Sequence, residues 1–281
     1  MVENCDCIDA VLLKKRLTDY IKATGTDVRL NTKARGHHGF CTGKRIDVSK
    51  NLSDEKTVEV LIHEFAHYSH FLLEPALIRT GGNLSVLFDM PDIDGLKVEL
   101  RAVTELVYDM RPLEKITALK CSNDEEVRIL RTAVKAVYPD FKSSEKFPPF
   151  IKYARKSNAR WLLKYDVVKI PGFLFFQPKL ISVKTLDDDF PGMPEVFKNY
   201  LRLKSAQRRG RRLSSRIRAI NSYLDKPGEL FARFVQAYVL YPERTRSLAP
   251  RASAIFAKLL STDFYPGLKN FLELCDGFTF E

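Results

Sequence analysis

The chain has 281 residues, 45% of them hydrophobic and 29% charged, a globular profile that excludes extensive disorder and allows one large domain with a substantial insert. No stretch approaches the ~20 apolar residues that cross a bilayer; the most apolar, Ile170 to Ile181, carries two prolines, a glutamine and a lysine and reads as core or loop. The formal charge of +11 points to an acidic partner without naming a chemistry.

Met1 to Asp9 hold three acidic groups and no basic one, opposite to a secretory leader. The five cysteines are odd in number and scattered, which predicts reduced thiols and, with the N-terminus, a cytoplasmic protein. Cys5 and Cys7 form a C-x-C pair without a second pair to complete a metal site, so they read as surface or packing thiols.

In chain order, Ile8, Val11, Leu12, Leu17, Tyr20 and Ile21 share one stripe of a helix from about Ile8 to Thr24, which Gly25 stops. Asp27 to Lys33 and Arg45 to Ser49 alternate like short strands, joined through Gly36, Gly39 and Gly43. A helix from about Asp54 to Leu72 follows. Ser53 can cap its free amides, Asp54 and Glu55 suit the positive end of its dipole, and Pro75 closes it. Apolar spacings of three and four predict further helices near Gly95 to Met110, Asp124 to Tyr138, Pro194 to Leu224 and Gly228 to Tyr241. Proline and glycine cluster at Phe147 to Phe150, Pro171 to Pro178 and Pro191 to Pro194, which places turns or an irregular insert in the middle third. The expected class is α+β, with a small N-terminal sheet and a mainly helical C-terminal part. We expect a single domain over 1–281 carrying an insert at about 111–195.

The helix from Asp54 contains His63-Glu64-Phe65-Ala66-His67, an H-E-x-x-H sequence. Residues four apart lie one turn up the same helix face, so both imidazoles can meet one cation while Glu64 reaches the water it binds. Zinc lowers the pKa of such a water to roughly 7, and a carboxylate beside it can act as the general base of peptide hydrolysis. Val58, Leu61, Ile62, Phe65 and Ala66 would pin the helix into the core and hold the ligands. His70 continues the same face, as a ligand or as a surface or supporting histidine. His37 and His38 sit on a glycine-flanked loop before the helix, where they line the cleft or belong to the loop alone.

A catalytic zinc takes three protein ligands and keeps one position open. Two glutamates can supply the third: Glu99, a short return on the next helix, or Glu229, 162 residues beyond His67 and reached only across a long insert. An oxyanion donor is needed as well, because charge builds on the carbonyl oxygen as water adds.

His63-Glu64-Phe65-Ala66-His67, Ser222-Tyr223 and Glu229-Leu230-Phe231-Ala232 together resemble the gluzincin metallopeptidases of the anthrax lethal-factor type and zincin domains of phage and plasmid polyvalent proteins. The likeness covers about a quarter of the chain, in two islands. It implies a zincin-like fold, one Zn2+ ion, Glu229 as third ligand and Tyr223 as the donor to the tetrahedral intermediate. Val98-Glu99-Leu100-Arg101-Ala102 is similar to the ligand-bearing helix of antirestriction-type plasmid zincins, which implies Glu99 instead. Arg233 reads as orienting the glutamate helix or as exposed.

Between Val196 and Leu224 no acidic residue occurs, while Arg208, Arg209, Arg211 and Arg212 lie among nine cationic ones. This segment predicts a solvated helix face, or contact with nucleic acid phosphates or an acidic protein. Phe197 and Tyr200 flank it, but no sequence-specific nucleic-acid motif is present. Two functions follow: a zinc-dependent peptidase acting on a protein or peptide substrate, or a nucleic-acid-associated accessory protein on a zincin scaffold without proteolysis. The intact Glu64 favours the first.

Overall fold

The computed structural model describes residues 9–32, 38–75, 81–171, 178–276 and 278. His37, Cys5 and Cys7 lie outside the described residues, as do most of the 171–178 turn cluster and the far end of the first strand. The chain divides into two compact units, one formed by residues 1–110 and 221–281, the other by 111–220. The second begins where the insert was expected but runs past 195 to Ile220, within a 30-residue helix.

In the first unit, α1 (Ala10–Ala23) leads into a three-stranded sheet of β1 (Asp27–Thr32), β2 (Gly39–Thr42) and β3 (Arg45–Ser49). The order is β1-β3-β2, with β1 parallel and β2 antiparallel to β3. β2 was read as a mere glycine-bearing connection; it forms because the turn at Gly43 (φ +57°) folds it back on β3, pairing Gly39 with Val48 and Thr42 with Arg45.

Helix α2 (Asp54–Leu73) starts as its sequence demands, with the Ser53 hydroxyl accepting from the Lys56 amide at 3.2 Å and two carboxylates in the first turn. It packs against α1, β2, β3 and α9 (Pro227–Leu240), burying Val58, Leu61, Ile62, Phe65 and Ala66. Phe65 stacks on Phe271 with ring centroids 4.1 Å apart, and Tyr20 meets it edge-on. This dense apolar setting keeps the helix from rolling, so the polar residues it carries keep their direction. α3 (Leu84–Leu87) and α4 (Asp94–Val107) also pack on α9.

α5 (Arg111–Val137) opens the second unit thirteen residues earlier than expected at 124, because Pro112 sits in the first turn, where its missing N–H costs nothing. Then come α6 (Pro148–Ala154), a hairpin of β4 (Val167–Ile170) and β5 (Lys179–Ser182), α7 (Leu186–Asp189) and α8 (Glu195–Leu224). The hairpin occupies part of the stretch read as core or loop. Phe147, Phe150, Phe197 and Tyr200 form an aromatic cluster in which Phe147 and Tyr200 centroids are 4.9 Å apart. Phe197 and Tyr200 are therefore core residues and not a stacking platform beside the arginines.

The first unit is completed by α10 (Pro242–Leu248), α11 (Pro250–Ser261) and α12 (Leu268–Glu273). α9, α10 and α11 each carry proline in the first turn, which presets the backbone for a helix. The chain is mixed α and β and mainly helical with a small sheet. Among the described residues no helix is long and apolar enough to cross a membrane.

Candidate metal centre

The i,i+4 spacing on α2 brings the His63 and His67 rings to 4.9 Å between centroids. Facing them from the first turn of α9 is Glu229, whose Oε2 lies 3.6 Å from His63 Nε2 and whose Oε1 lies 3.6 Å from His67 Nε2. One ligand atom from each of the three falls within 4.8 Å of the others. These separations are too long for hydrogen bonds. They suit a cation between the groups, since bonds of ~2.1 Å at a tetrahedral angle hold donor atoms roughly 3.4 Å apart. Two imidazoles and a carboxylate are also the donor types zinc prefers.

These side chains are held from behind. The Gln236 amide oxygen can only accept, so the contact of 3.3 Å with His63 Nδ1 makes that nitrogen the donor and leaves Nε2 facing Glu229. Gln236 in turn donates to Glu59 at 3.3 Å, and Glu59 accepts from Lys56 at 2.6 Å. Arg233, 2% exposed, donates to Glu229 at 3.2 Å and to the Leu224 carbonyl at 3.0 Å. It thus orients the glutamate and is not a surface residue. Burial alone would raise the Glu229 carboxyl, yet the facing imidazoles hold it far below the usual carboxylate range. His67 is displaced upward: burial pulls it down, and the Glu229 carboxylate outweighs this.

Glu64 lies beside the three, buried on α2 under β2. Burial raises its carboxyl above the usual range, opposed by His63 and His67 and by the backbone N–H of Cys41. The fit under the strand requires glycine at 39, where a Cβ would come within 2.5 Å of Val60 Cγ1 and 3.1 Å of Glu64 Oε1. The Cys41 thiol is pushed up to about 12 by burial and then by the Glu64 charge. Burial, followed by the charge of Glu229, also raises the Tyr223 phenol above the usual tyrosine range. Tyr223 stays 37% exposed, with the Arg233 guanidinium 5.2 Å from its ring centroid. His63, Glu64, His67, Tyr223 and Glu229 line one cleft of about 480 Å3.

Comparisons with protein-family models, with curated proteins and with solved structures find no match.

Glu99 stands outside the cluster. Its carboxylate accepts from the Ala252 amide at 2.9 Å, satisfying a free N–H in the first turn of α11. His70 also falls outside this group and is buried, with Nε2 lacking a hydrogen-bond partner among the described residues; burial and then the His67 charge hold its pKa down to about 4. Gly228 approaches closely here: its amide bonds the Gly81 carbonyl at 2.8 Å, and a Cβ would lie a tight 3.3 Å from His70 Nδ1. His38 is exposed. Gln236 and Glu59 were not anticipated, although a periodic signal was present. Glu229, Arg233 and Gln236 repeat at i, i+4 and i+7 on α9, and Glu59, His63 and His67 at i, i+4 and i+8 on α2.

The basic segment is partly neutralised by acidic residues of its own unit. Arg208 and Arg212 reach Asp166 at 2.6 and 3.0 Å, Arg209 pairs with Glu126, and Arg202 binds Asp187 and Glu195. Arg211 is exposed.

Proposed function

We propose that this chain is a zinc-dependent metallopeptidase of zincin type, with His63, His67 and Glu229 as metal ligands and Glu64 as general base. The observation that carries it is the convergence of three ligand atoms within 4.8 Å from helices far apart in sequence, beside a buried carboxylate. When bound, zinc would acidify water and polarise a substrate carbonyl.

The protein groups then have separate tasks. Glu64, whose raised pKa makes it a willing proton acceptor, takes a proton from water as the water oxygen bonds to the carbonyl carbon. It passes that proton to the amide nitrogen as the C–N bond breaks, so no covalent enzyme intermediate is needed. Tyr223 keeps its proton and donates a hydrogen bond to the carbonyl oxygen as negative charge gathers there. Gln236 and Arg233 hold His63 and Glu229 in register.

The test is the zinc content of purified protein together with cleavage of denatured casein by wild type and by Glu64→Gln. We expect both to hold zinc and only the wild type to cleave. Equal cleavage by the two would remove the peptidase assignment.

A further inference from the structure

A second and larger cleft, of about 700 Å3, lies within residues 111–220 between α5 and α8. Beside Gly210 and Ser215, its wall on α8 carries a row at Lys204, Gln207, Arg211, Ser214 and Arg218. Those positions step by three and four, the seam along which a helix normally carries apolar residues toward a partner. Here every one is polar, so apolar packing cannot close the gap. The two helices are joined through Asn123, which donates to the Ala206 carbonyl and accepts from Arg209, and through the Arg209–Glu126 ion pair.

The charge in this cleft is unbalanced. Lys120, Lys204, Arg211 and Arg218 line it against the carboxylate of Asp124, which is itself bound to Lys120. Lys204 donates to the neutral Ser143 carbonyl at 2.8 Å, and Arg218 donates to the Ser215 hydroxyl at 3.4 Å and forms no ion pair among the described residues. Arg211 forms no ion pair among the described residues. By contrast Arg208, Arg209 and Arg212, its sequence neighbours, are all paired with acids. Burial and then the charges of Arg211 and Arg208 hold Lys204 below the usual lysine range.

Lys204, Arg211 and Arg218 follow one another at seven-residue intervals, roughly 10 Å each along the helix and about 21 Å in all. Such a row is too long for a single small anion and suits an extended polyanion. Serine hydroxyls at 143, 144, 214 and 215 add donors along the cleft, and among the described residues Val127 is its one apolar side chain and no aromatic ring lines it. That combination serves phosphate oxygens and offers neither an aromatic platform for bases nor an apolar pocket for a peptide's side chains. We propose that the α5–α8 cleft binds the phosphodiester backbone of a nucleic acid without regard to base sequence, through Lys204, Arg211 and Arg218.

The test uses the full chain and a labelled single strand of ~30 nucleotides of mixed sequence, read by fluorescence anisotropy from about 50 to 300 mM salt. Three phosphate contacts on a single strand predict a slope of about −2 in log affinity against log salt. Arg211→Ala with Arg218→Ala, both exposed positions, should weaken binding about tenfold at low salt and flatten the slope by about 1.4. Arg212→Ala, which removes an exposed arginine paired with Asp166 outside the cleft lining, should bind like wild type. Binding that ignores salt, a double variant that binds normally, or displacement by polyglutamate as effective per charge as by unlabelled DNA would each overturn the proposal.

Discussion

Replacing Glu229 by glutamine perturbs a residue on which the proposed metal centre and a buried ion pair both depend. Its carboxylate lies 3.2 Å from Arg233, which is 2% exposed, and 3.6 Å from each imidazole Nε2. Because the folded protein holds the Glu229 pKa far below the unfolded value, its stabilising contribution is complete above pH ~4.5 and lost only as pH falls below that, so a neutral assay sees all of it. Breaking a buried pair costs about 3–5 kcal/mol, but Arg233 keeps the Leu224 carbonyl and gains the glutamine oxygen, which reduces the expected loss to about 2–3 kcal/mol. The metal-free variant should therefore melt roughly 5–10 °C lower. Removal of a metal ligand often relieves repulsion in the empty site; here the opposite is expected, because the ligand neutralises a buried guanidinium. Zinc affinity should fall by at least about 100-fold. Thermal unfolding in chelator and competition against a chromophoric zinc chelator read the two effects separately. Glu99→Gln is the control: it weakens one first-turn hydrogen bond on α11, about 1 kcal/mol, and leaves zinc binding intact. A metal-free Glu229→Gln protein as stable as wild type, or a Glu99→Gln protein that loses more zinc, would refute the reasoning.

Tyr223→Phe should retain zinc while kcat drops about 100-fold with KM little changed, since an oxyanion donor acts mainly in the transition state; an unaltered kcat would dismiss the tyrosine. Gln236→Leu deletes the acceptor at His63 Nδ1 and should cost about 10–100-fold in zinc affinity, measured by the same competition titration. Gly39→Ala forces a methyl to 2.5 Å from Val60 Cγ1 and 3.1 Å from Glu64 Oε1, so urea unfolding should show a loss of about 1–3 kcal/mol and cleavage should decline with it. Asp166 is held down to about 2, because hydrogen bonds from Ser205 and Arg208 outweigh the upward push of burial. A depressed carboxyl stabilises above its unfolded pKa, so this contribution fades between pH ~4 and ~2; screening at a side chain one-third exposed limits it to about 1 kcal/mol. Urea midpoints of wild type and Asp166→Asn should converge across that interval, and a constant gap would exclude the ion pairs as its source.

Much of the first unit was legible because its signals are local. The Ser53 cap, the acidic first turn and the apolar repeat of α2 all act within one or two turns, and the i,i+4 spacing alone sets His63 and His67 on one face. The short edge strand β2 escaped notice, since its residues acquire strand character only by pairing with β3. What followed from residue order was thus the pair of imidazoles, the carboxylate beside them and the helix that presents them. Tertiary structure alone brought Glu229 and not Glu99 to those imidazoles, and seated Gln236 and Arg233 behind the ligands. It also carried Asp166 and Glu126 to the basic run, which reads as one charged block in sequence and separates in space into paired arginines and the open row of Lys204, Arg211 and Arg218. The physical reason is range: hydrogen-bonded turns and periodic burial are encoded within a few residues, whereas the partner of a buried charge is chosen by packing between segments that can lie over a hundred positions apart.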